Sequence, residues 1–179
     1  MEDRFVEENV RNRLILSGIE ELEEHGISGF SLRRAAMRAQ VSCAAPYRHF
    51  KSKEEYINEI ILYVGSKWEL LSTEICTIFA TDPAMLVREI CIANLRFRIA
   101  NKNFPLALAH TGVTGKTIDE SIESAVLDYC KYKGLDAEQT ELKQFSTLSL
   151  IYGAVAMIDD ENTDKILSLV RKKLEEEFD

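Results

Sequence analysis

Proline is scarce in this sequence, with three in 179 residues, and glycine is held to eight. So few breakers leave room for long uninterrupted helices. Period-two alternation is also rare, whereas apolar residues recur at three- and four-residue spacing. That excludes a sheet-rich fold and predicts an all-α chain of about nine helices. No run of roughly 18 apolar residues occurs, so no transmembrane helix is expected. The opening residues, Met1-Glu2-Asp3-Arg4-Phe5-Val6-Glu7-Glu8, are acidic and hold no apolar stretch. They do not read as a secretory leader, and a cytoplasmic location is expected. The cysteines, Cys43, Cys76, Cys91 and Cys130, form no C-x-x-C pair and have no histidine at metal-ligand spacing; free thiols and no metal are expected. Histidine is limited to His25, His49 and His110, and there is neither a Gly-x-Ser-x-Gly nor a phosphate-cradling glycine loop. Nothing resembles a catalytic site or a cofactor site, so an enzyme is not expected.

What is present is a concentration of positive charge. Residues 30–53 carry Arg33, Arg34, Arg38, Arg48, Lys51 and Lys53 and no acid. The stretch contributes +6 to a chain of net charge −8, so the remainder carries −14. A basic island on an acidic protein suits a polyanion. Ser31 can cap a short helix with Leu32, Ala35 and Ala36 on its apolar face. That helix stops near Ala39. After a turn around Val41, Ser42 can cap a second short helix running to about His49. Two short helices, a tight turn and surrounding cations make a helix-turn-helix, whose second helix enters the major groove.

The ordered run His25-Gly26, Gly29-Phe30-Ser31-Leu32-Arg33, Val41-Ser42 and Tyr47-Arg48-His49-Phe50-Lys51-Ser52-Lys53-Glu54-Glu55 resembles the DNA-binding domain of TetR-family transcriptional regulators. The resemblance covers residues 8 to 60. It implies a DNA-binding domain at 1–53 and a ligand-binding and dimerisation domain at 54–179. It places Ser31, Arg33, Ser42, Cys43, Ala44, Ala45, Tyr47, Arg48, His49 and Lys53 at the DNA. Arg33 matches a base-reading position, where arginine suits guanine O6 and N7. Tyr47, His49 and Lys53 match phosphate clamps, with Lys53 at a helix N-terminus that favours a phosphate. Cys43, Ala44 and Ala45 match base-facing positions and can touch thymine methyls. Two departures stand out. Gln40 replaces the usual turn glycine, so a left-handed backbone there costs roughly 1 kcal/mol. Pro46 falls inside the second helix, as its fourth residue if Ser42 caps it, and either tightens its start or shortens it.

Around this unit the helices follow from spacing and breakers. Val10, Leu14, Gly18 and Leu22, with Ile15 and Ile19, form a stripe on a helix from about Arg4 to His25, which Gly26 ends. Its acidic run Glu20, Glu21, Glu23 and Glu24 reads as a solvated outer face. A helix from Lys53 to about Ala80 carries the domain boundary and links the reader to the rest. Asp82-Pro83 opens another to about Lys102. A short helix is expected from Phe104 to His110, then a break around Gly112 and Gly115. Three more span about 118–133, 137–158 and 163–178. In the first turn of the recognition helix, Cys43 would have a lowered thiol pKa, and a redox role is one reading of it.

The 137–158 helix is apolar on both sides. Leu142, Phe145, Ser149, Tyr152, Gly153 and Ala156 line one, and Leu148, Ile151, Val155 and Ile158 the other. Two surfaces need burying, so one needs a partner. The resemblance implies a homodimer built from the last two helices, with Leu148, Ile151, Val155, Ile158, Ile166 and Val170 at the interface. It also implies a small-molecule inducer of unknown identity. Candidate pocket residues are Trp68, Asn94, Phe97, Arg98, His110, Tyr129, Phe145 and Tyr152, since polar tips on aromatic bodies suit an amphipathic ligand. The expected function is a ligand-responsive dimeric regulator, a repressor released from a pseudo-palindromic operator. The alternative is a ligand-independent architectural DNA-binding protein.

Overall fold

Gly18 lies where two helices come closest, and the first unit is built around that approach. A Cβ placed on it would stand 2.6 Å from Ile60 Cδ1 and 3.0 Å from the Tyr56 hydroxyl. The computed structural model describes residues 2–102, 118–159 and 161–179, with side chains from residue 9 onward. Eight α-helices and no strand form among these residues. They are α1 (Glu2–Gly29), α2 (Leu32–Arg38), α3 (Ala45–His49), α4 (Lys53–Ile78), α5 (Pro83–Ala100), α6 (Ile118–Lys133), α7 (Ala137–Met157) and α8 (Thr163–Glu177). The chain is all-α as expected. The helix expected at 104–110 and the break after it lie outside the described residues.

The described residues cluster into two compact units that divide within α4, one holding Met1–Ser66 and the other Lys67–Ala100 with the C-terminal helices. In the first, the stripe on α1 buries Leu14, Ile15 and Leu22. Gly26, at φ 63°, breaks α1 where its glycine was expected to, and one further turn follows. Tyr56 of α4 is fully buried, and its hydroxyl donates to the Leu14 carbonyl. Its ring stacks on Phe50 at 4.2 Å and meets Phe30 edge-on at 5.4 Å. Arg11 of α1 pairs with Glu59 of α4. Together these contacts tie α1, the start of α2 and the end of α3 to α4.

In the second unit α5 is central. Leu86, Val87, Ile90, Cys91, Ile92 and Leu95 are all buried, covering more than one face. Asp82 caps α5 by accepting the Met85 N–H at 2.9 Å. Burial pushes the Cys91 thiol up to about 12, so it stays protonated and behaves as a small apolar side chain. Gly134, at φ 69°, ends α6. A reciprocal capping box between Asp136 and Gln139 then starts α7. Ion pairs tie α8 to its neighbours: Arg171 to Glu89 of α5 at 2.7 Å and Lys143 of α7 to Glu177 at 2.6 Å. Tyr129 packs edge-on against Phe178 at 4.9 Å.

One polar network runs into this core. Arg98 is 7% exposed. Its Nε donates to Asn94 Oδ1 at 2.8 Å and its Nη2 to Asp119 Oδ1 at 2.5 Å. Asn94 is itself buried and donates to the Ile118 carbonyl at 2.9 Å. The Tyr152 hydroxyl donates to Asp119 Oδ2 at 2.7 Å, while its ring lies under the Arg98 guanidinium at 4.9 Å. The hydrogen bond to Asp119, and then partial burial, hold the Tyr152 phenol above its ordinary pKa. Three helices thus meet at one guanidinium.

Two consequences can be measured by urea denaturation. Gly18→Ala should destabilise the protein by about 1–3 kcal/mol, because the methyl overpacks a site bounded by Tyr56 and Ile60. Asp119→Asn should cost about 1–3 kcal/mol, because it removes the charge facing a buried guanidinium. Tyr152→Phe, which leaves that ion pair intact, should cost less.

Candidate nucleic-acid interface

The reader is assembled on α1 and α4. Ser31 takes extended backbone and its side chain accepts the Arg34 N–H, capping α2 as the sequence suggests. Leu32, Ala35 and Ala36 are buried, as their spacing requires. The turn then passes through Gln40, at φ 54° the described non-glycine residue with positive φ. This is the left-handed position anticipated for it. The Val41 N–H donates back to the Ala36 carbonyl at 3.1 Å, closing the turn.

The recognition helix starts later than Ser42 suggests. Its first residue is Ala45, with Ala44 at the cap position and Pro46 at the start of the helix. A proline in the first turn has no N–H to lose from the helical ladder. The tension expected from a fourth-position proline is therefore absent, and of the two readings of Pro46 the shorter helix holds. Ser42, Cys43 and Ala44 consequently sit in the turn before α3, and all are exposed. The argument that put Cys43 in a helical first turn fails with that boundary. Ala45 is buried, so its methyl is part of the core and does not line the surface.

The remaining candidates divide by exposure. Arg33, Tyr47 and Arg48 are exposed, Tyr47 at 67%. Phe50 is buried, its expected place as core. His49 and Lys53 are half-buried, and Lys53 Nζ lies 6.0 Å from the Phe30 ring centroid. At the start of α4 the Ser52 hydroxyl accepts the Glu55 N–H at 3.1 Å, and the Glu55 carboxylate accepts the Lys51 N–H at 2.7 Å. Glu54 is held below the usual carboxylate range, first by its own backbone amide and then by Ser52. A phosphate approaching Lys53 would therefore meet two carboxylates already using that helix end.

The acidic run on α1 is the largest revision. Glu20, Glu23 and Glu24 are exposed, but Glu21 is 0% exposed. It accepts from Arg34 Nε at 2.8 Å, from Arg34 Nη2 at 2.5 Å and from the Ser31 N–H at 3.1 Å. Arg38 donates to Glu24 and lies 3.6 Å from Glu20. That hydrogen bond holds the Glu24 carboxyl below its usual range and raises the Arg38 guanidinium. The run is thus not a purely solvated face. Two of the six cations in the basic island are engaged by α1, which leaves Arg33, Arg48, Lys51 and Lys53 outside these pairs.

The pocket candidates do not converge on one place. Asn94, Arg98 and Tyr152 come together, with Asp119 as a member that sequence reading missed. Trp68 and Phe97 form a second pair at 5.2 Å. Tyr129 packs with Phe178 instead, and Phe145 is 68% exposed. His110 lies outside the described residues. Of the expected interface residues, Ile151, Ile166 and Val170 are taken up by the subunit's own core, while Leu148, Val155 and Ile158 are half-buried. Among the described residues no group of three metal-ligating side chains occurs, and no helix is long and apolar enough to cross a membrane.

Comparison with known proteins agrees with this geometry. Residues 14–60 match the family model described as bacterial regulatory proteins, tetR family. An 87-residue stretch is 32% identical to the probable acrEF/envCD operon repressor of Escherichia coli strain K12, covering 49% of this chain and 40% of that one. The chain thus spans less than half the length of that curated relative. Among solved structures, AibR in complex with isovaleryl coenzyme A and operator DNA is similar over 90% of this chain and 96% of its own, with a TM-score of 0.65 at 15% identity. A TetR-family transcriptional regulator from Pectobacterium atrosepticum is similar over 96% and 93%, with a TM-score of 0.61 at 19% identity. At such identities the structural likeness shows the fold. The helix-turn-helix of α2 and α3 thus lies within the stretch that matches the tetR family of bacterial regulatory proteins, and the all-α fold around it is similar to that of a solved TetR-family regulator.

Proposed function

We propose that the protein is a dimeric, ligand-responsive transcription regulator that represses by occupying a pseudo-palindromic operator. The observation that carries this reading is the α2–α3 surface. Arg33, Tyr47 and Arg48 stand exposed there beside the small residues Ser42, Cys43 and Ala44, on a chain that is otherwise acidic. The small side chains of Ser42, Cys43 and Ala44 would let a backbone approach base edges closely. Arg33 supplies the bidentate contact to guanine, Arg48 a second cation, and Tyr47 and His49 hold phosphates, with Lys53 reaching one through its ammonium and not through the α4 N-terminus that Glu54 and Glu55 occupy.

Dimerisation is proposed through the outer face of α7. Leu142, Phe145, Tyr152 and Met157 are all at least half exposed there, whereas Thr147, Ile151 and Ala154 on the opposite face are buried. Gly153 lies on the outer face with nothing within 4 Å of where its Cβ would be, so a second helix can come close at that point. A second copy of the same face satisfies an isologous, self-complementary contact. Leu148, Val155 and Ile158 lie on the other side of α7, half-buried near Ile151, so the proposed contact uses a different face from the one expected. Two readers so paired would be about 34–36 Å apart, or a multiple, along the duplex.

The effector site is proposed in the second unit, beside the Arg98–Asp119–Tyr152 network and the Trp68–Phe97 pair. A buried guanidinium next to aromatic surface suits an amphipathic molecule with a polar end. Support for a ligand also comes from AibR, whose structure holds isovaleryl coenzyme A together with operator DNA. Ligand binding there would shift the spacing of the two readers and release the operator.

Selection of binding sites from random duplex DNA, at a stated salt concentration, tests the regulator reading. An inverted repeat should be enriched. Arg33→Ala should lose about 1–3 kcal/mol and relax preference at one position per half-site. Tyr47→Phe should weaken binding by roughly 0.5–1.5 kcal/mol without regard to sequence. No enrichment from a folded dimer would refute the reading. Light scattering at micromolar concentration should give a dimer for the native chain and a monomer for Phe145→Glu; a monomeric native chain would remove the dimer.

A further inference from the structure

α2 opens with two adjacent arginines, Arg33 and Arg34, set about 100° apart around the helix. They have different fates. Arg33 is exposed, and none of the ion pairs among the described residues involves it. Arg34 bends back to α1, where its guanidinium gives two hydrogen bonds to Glu21 Oε1, and its Nη2 also donates to the Gly29 carbonyl at 2.5 Å. Glu21 Oε1 further accepts the Ser31 N–H, the amide of the residue that caps α2.

The pair is poorly built for stability. The other oxygen of Glu21 is buried without a hydrogen bond, with His25 Nδ1 at 3.5 Å and Arg38 Nε at 3.7 Å. Burying a carboxylate with one oxygen unserved gives back much of what the ion pair contributes, and apolar side chains of similar size often serve as well. A different property of the pair is more telling: it removes one cation from the DNA-facing helix. A free arginine beside Arg33 would find a phosphate, and phosphate contacts raise affinity for every sequence alike.

We propose that Glu21 is a specificity-determining residue of the DNA reader. It commits Arg34 to α1, as Glu24 does Arg38, and so leaves Arg33 as the arginine of α2 that reaches DNA, while fixing the start of α2 through Ser31. The inference rests on the DNA reading above. It assigns Glu21 no contact with DNA; the residue acts through Arg34 and Ser31.

The test compares full-length native protein, Glu21→Gln, Glu21→Leu and Glu21→Gln/Arg34→Gln. Binding to the selected operator and to a scrambled duplex is followed by fluorescence anisotropy across a salt series. Glu23→Gln makes the same charge change from an exposed position on α1 and serves as control. Either single Glu21 variant should steepen the salt dependence by about 0.9 on both duplexes, the value of one added phosphate contact. Scrambled-duplex binding should tighten several-fold at low salt, and the operator-to-scrambled ratio should fall. The double variant should restore both slope and ratio, and Glu23→Gln should move neither. A folded Glu21→Gln with native slope and native ratio would overturn the inference, as would a double variant that keeps the steeper slope. If Glu21→Leu does not fold, Glu21→Gln carries the comparison, since it keeps the shape and the acceptor for Ser31. Unfolding of Glu21→Gln as well would also overturn it, because Glu21 would then be needed for the fold itself. Should the native protein select no sequence at all, the DNA reading fails first; if it selects one and the variants match it, only this inference fails.

Discussion

Tyr56 is the residue on which the first unit depends. Its hydroxyl is committed to the Leu14 carbonyl in the middle of α1, so the phenol is both buried and satisfied. Burial, with the Glu21 carboxylate as a lesser cause, drives its pKa upward, so it remains a donor throughout the neutral range. The ring takes Phe50 on its face and Phe30 on its edge. Phe30 immediately precedes the cap of α2, and Phe50 is the residue at which α3 ends. One side chain therefore holds both ends of the helix-turn-helix against the two helices that carry it. Gly18 is the complement of this arrangement, since no larger residue leaves room for the hydroxyl to arrive.

Much of this could be read from the chain because local chemistry decided it. Gly26 and Gly134 end helices with positive φ, and the helix ending at Lys133 matches its expected span. Gln40 takes the left-handed turn despite its side chain, because the turn between α2 and α3 needs that backbone and the surrounding contacts impose it. Ser42 has the chemistry of a cap and so points to a helix starting at Cys43, which the structure does not show. Pro46 is the better signal, since proline belongs in the first helical turn and so sets the boundary two residues later.

What could not be read were partnerships between distant positions. Glu21 looks like its neighbours Glu20, Glu23 and Glu24, and carboxylates in a helix default to solvent. Only the packing of α2 on α1 shows that one of them faces inward to Arg34, 13 residues along the chain. Asp119 resembles any acid in a first helical turn, and its pairing with Arg98 spans 21 residues. The two faces of α7 are a related case. Both are apolar, so composition cannot rank them, and only the positions of α6 and α8 show which face the subunit keeps for itself.

The late start of α3 has a consequence for how such a reader can change over time. A helix of five residues is barely more than one turn and has no stability of its own. Its shape is imposed by Ala45, Pro46 and Phe50, all of which point inward. Ser42, Cys43 and Ala44 lie ahead of it in an exposed turn, where no helix propensity has to be met and no core has to be filled. The positions that would touch bases are thus decoupled from those that keep the domain folded. With the contacts proposed above, substitutions there would alter sequence preference at little cost in stability, and such a reader would be free to diverge toward new operators while its frame stays as it is.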